Sequence, residues 1–153
     1  MWVRLDTNGY FDTAIYADWW AADAATAGGV AFELGRDPDI DRITAQFLFP
    51  DPGNVPADPH IACSGGYCTG TIDAPVPALG QWHFYRLVRD VASDQIRFCL
   101  DGVLAGTAPL AGEIDISNPR SPTFGSWDTL ARPTFDGDID DLRIFRRTLP
   151  CGP

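Results

Sequence analysis

The chain has 153 residues, 45% of them hydrophobic, and a net charge of −10, enough for one domain with its own core and too little for two comfortable ones. All eleven basic residues are arginine, set against twenty-one acids, so there is no basic stripe for nucleic acid or an anionic membrane surface. No apolar run approaches the roughly 20 residues of a membrane span.

Met1-Trp-Val-Arg-Leu carries no basic n-region, apolar core or small-residue cleavage site. An export signal, if the protein has one, is expected to have been removed or to lie outside this sequence. From there the chain reads as short apolar or alternating runs, broken about every eight to twelve residues by Gly, Pro, Asn or Asp, the rhythm of a β-sandwich. Strands are expected at Trp2 to Leu5, Ala14 to Trp20, Val30 to Leu34, Ile43 to Phe49, Trp82 to Arg89, Gln95 to Leu100, Ile114 to Ile116, Thr123 to Gly125 and Ile139 to Phe145. Most are too short and too rich in β-branched and aromatic residues for helices. Ala21 to Ala27 has helical composition but no apolar stripe, and reads as a loop.

Residues 50 to 80 hold six of the thirteen prolines and show no sustained periodicity. They read as a long excursion and a candidate binding lip. Within them Cys63-Ser-Gly-Gly-Tyr-Cys68 brackets a turn that brings its two cysteines together as a local disulfide. Zinc is the poorer explanation, because Cys99 and Cys151 are isolated and His60 and His83 are the only histidines.

Four motifs in order carry a resemblance. They are Trp2-Val3, then Gly80-Gln81-Trp82-His83, then Gln95-Ile96-Arg97-Phe98-Cys99-Leu100-Asp101-Gly102-Val103-Leu104, and last Phe135-Asp136-Gly137-Asp138-Ile139-Asp140-Asp141-Leu142-Arg143-Ile144-Phe145-Arg146-Arg147-Thr148-Leu149. Phe124-Gly125 falls between the last two. The set resembles the laminin-G-like, concanavalin-like jelly-roll family of extracellular proteins, with its "G-x-W-H" strand, "I-x-L-Y-V-D-G" hairpin and "F-x-G-x-I-D-D-V-R-I-Y-N-R-A-L" ending. The resemblance implies an all-β, two-sheet antiparallel jelly roll over residues 1 to 153 and a secreted or cell-surface recognition module. Asp101-Gly102 is a hairpin signal in its own right, since such a turn needs positive φ.

Against that pattern Cys99 stands at the family's Tyr and Cys151 just after its end. Their joint appearance favours a second disulfide, and the pairing of Cys63 with Cys68 and Cys99 with Cys151 implies an oxidising compartment. Chain entropy assigns about 2 kcal/mol to the short loop and about 4 kcal/mol to the long one. The family's opening strands, which commonly lie beside the "I-D-D-V-R" strand, would precede Met1, so the sequence reads either as a trimmed fragment or as a domain with an open sheet edge. Within Ile139-Asp140-Asp141-Leu142 the alternation fails, and a β-bulge or a strand buried on both faces is expected. Trp82, Phe84 and Leu87-Val88 are expected to supply core faces.

For function, Trp19, Trp20, Tyr67 and Trp127 are the candidate ligand platforms, because sugar C–H faces stack on aromatic rings. Adjacent strand residues point to opposite faces, so one of Trp19 and Trp20 must leave the core. Each of these rings alone is more often packing than ligand. Calcium is the candidate cofactor, at Asp37-Pro38-Asp39-Ile40-Asp41 or between Asp136 and Asp141, with Asp140 and Asp141 foremost; Asp is also the ordinary turn residue of an acidic β-protein. Gly112-Glu113-Ile114-Asp115-Ile116-Ser117 resembles the catalytic strand of laminarinase-type β-glucanases. Retaining hydrolysis, however, needs two carboxyl groups about 5 Å apart, and the acid that supplies the proton in those enzymes is replaced here by Ser117 or Asn118. His83 reads as a strand residue beside Trp82 rather than a base. The expectation is therefore a non-catalytic module for glycans or cell-surface proteins, or else an adhesive one that docks protein or itself through an open strand edge.

Overall fold

A computed structural model describes residues 1–6, 13–20, 28–37, 40–55, 57–110, 123–124, 136–145 and 147–152, and all structural statements concern those. Eleven strands form two antiparallel sheets: β1 (Trp2–Leu5), β2 (Thr13–Trp20), β3 (Gly28–Asp37), β4 (Ile40–Pro50), β5 (Ile61–Ser64), β6 (Tyr67–Pro75), β7 (Trp82–Asp90), β8 (Gln95–Leu100), β9 (Val103–Pro109), β10 (Thr123–Phe124) and β11 (Gly137–Asp140). One sheet runs β11-β1-β7-β8-β9 and the other β10-β2-β3-β4-β6-β5. No helix long and apolar enough to cross a membrane occurs among the described residues.

The core lies between the sheets. Val3 and Leu5 of β1, Tyr85 of β7, and Ile96 and Phe98 of β8 meet Ile15, Ile43, Ala45, Phe47, Phe49, Ile72 and Ala74 of the other sheet. Tyr85 stacks on Phe98 at 6.3 Å between ring centroids, and Phe47 on Phe49 at 6.0 Å. The inward residues of β6 are small where β4 is large: Gly70 stands directly opposite Phe47, whose ring fills the place a side chain would take. Gly106 of β9 does the same for Ile72 across the gap between the sheets, where a Cβ would come within 2.6 Å of its methyl.

The Asp101-Gly102 hairpin forms as expected, with φ of 52° and 79° at its two turn residues and Leu100 opposite Val103. Both disulfides are present. Cys63 and Cys68 face each other across β5 and β6 with Cα atoms 4.0 Å apart, and Cys99 of β8 joins Cys151 with Cα atoms 5.4 Å apart. The second bond draws the C-terminal segment over the outer face of β7 and β8. There Arg86 donates to the carbonyls of Pro150 and Gly152, and Thr148 Oγ1 donates to Arg89 O.

Three expectations are corrected. Residues 50 to 80 are no structureless loop: they include the end of β4, the β5–β6 hairpin closed by Gly65 and Gly66, and nine residues of β6 running along β4. The strand expected at Ile139 to Phe145 ends at Asp140, with neither a bulge nor burial on both faces. Asp141 takes a φ of 51°, its amide turns onto Asp140 Oδ1 at 2.7 Å, and residues 142 to 145 leave the ladder exposed. In β7 Leu87 packs against the core as expected and Phe84 and Val88 are buried, but the aromatic ring that enters the core between the sheets is Tyr85, while Phe84 lies against Trp2 on the outer face and Trp82 is 43% exposed. The strand expected at Ile114 to Ile116 and the loop at Ala21 to Ala27 lie outside the described residues.

Gly70→Ala tests the packing directly. Its Cβ would lie 2.0 Å from the Phe47 ring, an overpacking expected to cost about 1–3 kcal/mol in urea unfolding. Wild-type stability in this variant would show that the two strands do not meet there.

Candidate functional site

β1 pairs on both sides, Trp2 opposite Phe84 and Arg4 opposite Trp82 on β7, and Trp2 opposite Asp140 and Arg4 opposite Asp138 on β11. Residues directly opposite in an antiparallel pair share a face, and residues two apart along a strand share it too. With Val3 and Leu5 in the core, the outer face of the sheet therefore collects Trp2, Arg4, Trp82, Phe84, Asp138 and Asp140.

The contacts on this face form two rows across the strands. In one, the Arg4 guanidinium lies 5.8 Å from the centre of the Trp82 ring, while pairing with Asp138 at 2.5 Å and Asp6 at 3.2 Å. In the other, Trp2 packs on Phe84 at 5.2 Å and the Arg86 guanidinium lies 4.8 Å from the Phe84 ring centre. In the second row Phe84 is buried against Trp2 and Arg86, and Arg86 also holds the C-terminal segment. The first is open, and Trp82 remains 43% exposed. An indole beside a guanidinium and two carboxylates offers an apolar stacking surface edged by fixed hydrogen-bonding groups, the arrangement a sugar ring requires.

A second set of contacts fixes the strand end that carries Trp82. Asp101 Oδ1 accepts from the Phe84 amide at 2.8 Å, its Oδ2 pairs with His83 Nδ1 at 2.6 Å, and His83 Nε2 reaches Ala78 O at 3.1 Å. Gly80 N donates to Leu5 O at 2.7 Å, tying the same segment to β1. His83 is thus a strand residue that braces the approach to Trp82. Burial by itself would raise the Asp101 carboxyl, but the hydrogen bonds from His83 and the Phe84 amide, with the His83 charge, hold it below its ordinary 3.8. Burial pushes the Tyr85 hydroxyl well above the usual phenol range, with the Asp101 charge adding to it, so that this core ring stays neutral.

Of the ligand platforms and foremost metal candidates singled out in the sequence, the structure describes the side chains of Tyr67, Asp140 and Asp141, with Tyr67 on one sheet and the two aspartates at the end of β11 on the other. Tyr67 opens β6 half-buried, opposite Ser64 and Pro50, in the sheet from which the Trp82 face looks away. Trp19 and Trp20 end β2 opposite Gly29 and Gly28, and their side chains lie outside the described set. Trp127, Glu113 and Asp115 also lie outside the described residues. Asp140 and Asp141 are exposed; Asp140 Oδ1 accepts the Asp141 amide, and Asp141 Oδ1 takes Arg143 Nε at 2.7 Å. Among the described residues, the three side chains whose ligand atoms fall within 4.8 Å of one another are Asp51, Cys63 and Cys68, and the two sulfurs are bonded to each other. Sequence reasoning missed the Trp82 face, although the alternation of Trp2-Val3-Arg4-Leu5, with Val3 and Leu5 inward, was signal enough to put Trp2 and Arg4 outside.

The lowered Asp101 carboxyl makes a prediction for pH. A group whose carboxyl titrates lower folded than unfolded contributes stability above its unfolded value and loses it as pH falls through the folded one. Wild-type protein should lose melting temperature below about pH 4, and Asp101→Asn should flatten that acid limb while lowering the neutral plateau. Superimposable profiles would show that the His83–Asp101 contact carries no linkage.

A laminin-G family model, described as the concanavalin A-like lectin/glucanases superfamily, matches residues 1–150. No curated protein and no solved structure shows a significant match. With the match spanning almost its whole length, and with two facing antiparallel sheets, the chain belongs to the concanavalin A-like lectin/glucanase superfamily.

Proposed function

We propose that this chain is a non-catalytic recognition domain of an extracellular protein and that it binds carbohydrate on the outer face of its five-stranded sheet. The observation that carries the reading is the half-open Trp82 ring beside Arg4, Asp6 and Asp138, with Trp82 and Arg4 on strands hydrogen-bonded on both sides. Such a surface is built before a ligand arrives, so little conformational entropy remains to be lost on binding. Two disulfides support an oxidising environment, and the superfamily's lectins lend the reading its class. A calcium ion at Asp140 and Asp141 would be a separable element of that function, supported by the four aspartates between positions 136 and 141.

A second reading, self-association, is favoured by one observation: β11 is an edge strand, followed by exposed Leu142, Ile144 and Phe145. Asp138 and Asp140 on that edge oppose it, since charged side chains discourage strand addition.

Binding to a panel of polysaccharides, in calcium and in EDTA, tests these readings together. Trp82→Ala should weaken binding at least tenfold, about 1.4 kcal/mol, with the melting temperature held because the ring is half exposed. Glu113→Gln should change nothing. Undiminished binding by Trp82→Ala would remove the site, and polysaccharide hydrolysis lost in Glu113→Gln would make the protein an enzyme. Absence of any glycan binding together with concentration-dependent sedimentation would favour the edge-docking reading.

A further inference from the structure

We infer that the glycan taken by the Trp82 face is uncharged, and that the face discriminates against polyuronates and sulfated chains. This rests on the reading of that face as a carbohydrate site and adds the charge class of its ligand.

Of the two arginines in contact with the aromatic rings of this face, Arg86 is committed to the carbonyls of Pro150 and Gly152 and to the Phe84 ring. Arg4 is held between Asp6 and Asp138 and against Trp82. One terminal nitrogen of each guanidinium is already taken, in Arg86 by two carbonyls and in Arg4 by two carboxylates, so an incoming carboxylate or sulfate would have to compete with partners in place for the bidentate pair by which arginine captures such groups. The carboxylates have capacity to spare: each has two oxygens and about four acceptor sites, of which the ion pairs use a part. The Asp138 side chain is 52% exposed and that of Asp6 43%, and Asp140 stands exposed on the same face.

Ionised carboxylates only accept hydrogen bonds, so the complementary ligand groups are donors, and the hydroxyls of a neutral sugar supply them in quantity. An ionised uronate or sulfate has no donor at its charged group and would set it beside the two carboxylates that flank Arg4, with Asp140 further along β11. At contact distance like charges repel even through water. The chain's net charge of −10 extends that repulsion to the approach of any polyanion. A neutral ligand, in contrast, has no counterions to release, and its affinity should be nearly independent of salt.

The experiment is affinity electrophoresis and calorimetry of the intact domain against neutral β-glucans and mannans, a polyuronate and a sulfated polysaccharide, at low and high salt. The expected result is binding to a neutral polymer that changes less than about twofold with salt, is lost in Trp82→Ala, and exceeds polyanion binding at least tenfold. Asp138→Asn, which releases Arg4 from one partner, should narrow that ratio. Tighter binding to the polyuronate or the sulfated chain than to any neutral polymer would overturn this inference and leave the carbohydrate reading standing. If no polysaccharide binds, the carbohydrate reading itself fails and the charge selection falls with it.

Discussion

β1 is hydrogen-bonded along both edges, to β7 and to β11, and a strand held that way has no freedom of phase. Once Val3 and Leu5 enter the core, Trp2 and Arg4 must face outward, and the partners opposite them, Phe84 with Asp140 and Trp82 with Asp138, must face outward too. The same pairing sends Tyr85 inward to stack on Phe98. A single registration therefore builds the core on one side of the sheet and the aromatic and charged face on the other.

That face is held from three directions. Arg4 clamps β1 to β11 through Asp138, and Asp101 clamps the start of β7 through the Phe84 amide and His83. The Cys99–Cys151 bond carries the C-terminal segment over the adjoining strands. A cation–π contact of the Arg4–Trp82 kind contributes about 0.5–1 kcal/mol at an exposed site, and an aromatic pair such as Trp2–Phe84 about 0.5–1.5 kcal/mol. These contributions are modest. Their consequence is geometric, since they fix one indole beside an arginine and two carboxylates whose remaining acceptor capacity faces solvent.

Much of this was legible in the sequence where residues alternate cleanly. β1, β4 and β8 show their inward positions as apolar residues, the Asp101-Gly102 turn and the Cys63–Cys68 pairing follow from local chemistry, and the Cys99–Cys151 pairing was suggested by the family resemblance. β6 was not legible, because its inward positions are Cys68, Gly70, Ile72 and Ala74: one large apolar residue among a disulfide partner and two small residues gives no hydrophobic stripe, and Gly70 reads as a breaker until Phe47 is known to lie against it. β7 was ambiguous for the opposite reason. Phe84 and Tyr85 are both apolar and adjacent, so either phase satisfies the pattern, and the choice is made by Val3 and Phe98 from distant strands. The C-terminal segment misled because apolar residues on both sides of Asp140-Asp141 suggest a strand carried past the break in alternation, whereas Asp141 adopts a left-handed backbone conformation, which Asp tolerates better than most residues.

The claim on which the functional account rests is that ligand meets the Trp82 face rather than the aromatic residues first suggested by composition. The five tryptophans give five indole N–H signals in a nitrogen–proton correlation spectrum, each assignable by single substitution. Titration with a soluble neutral oligosaccharide should shift the Trp82 indole most, with Trp2 following and Trp19, Trp20 and Trp127 unmoved. Shifts confined to Trp19, Trp20 or Trp127 would place the ligand elsewhere and contradict the account.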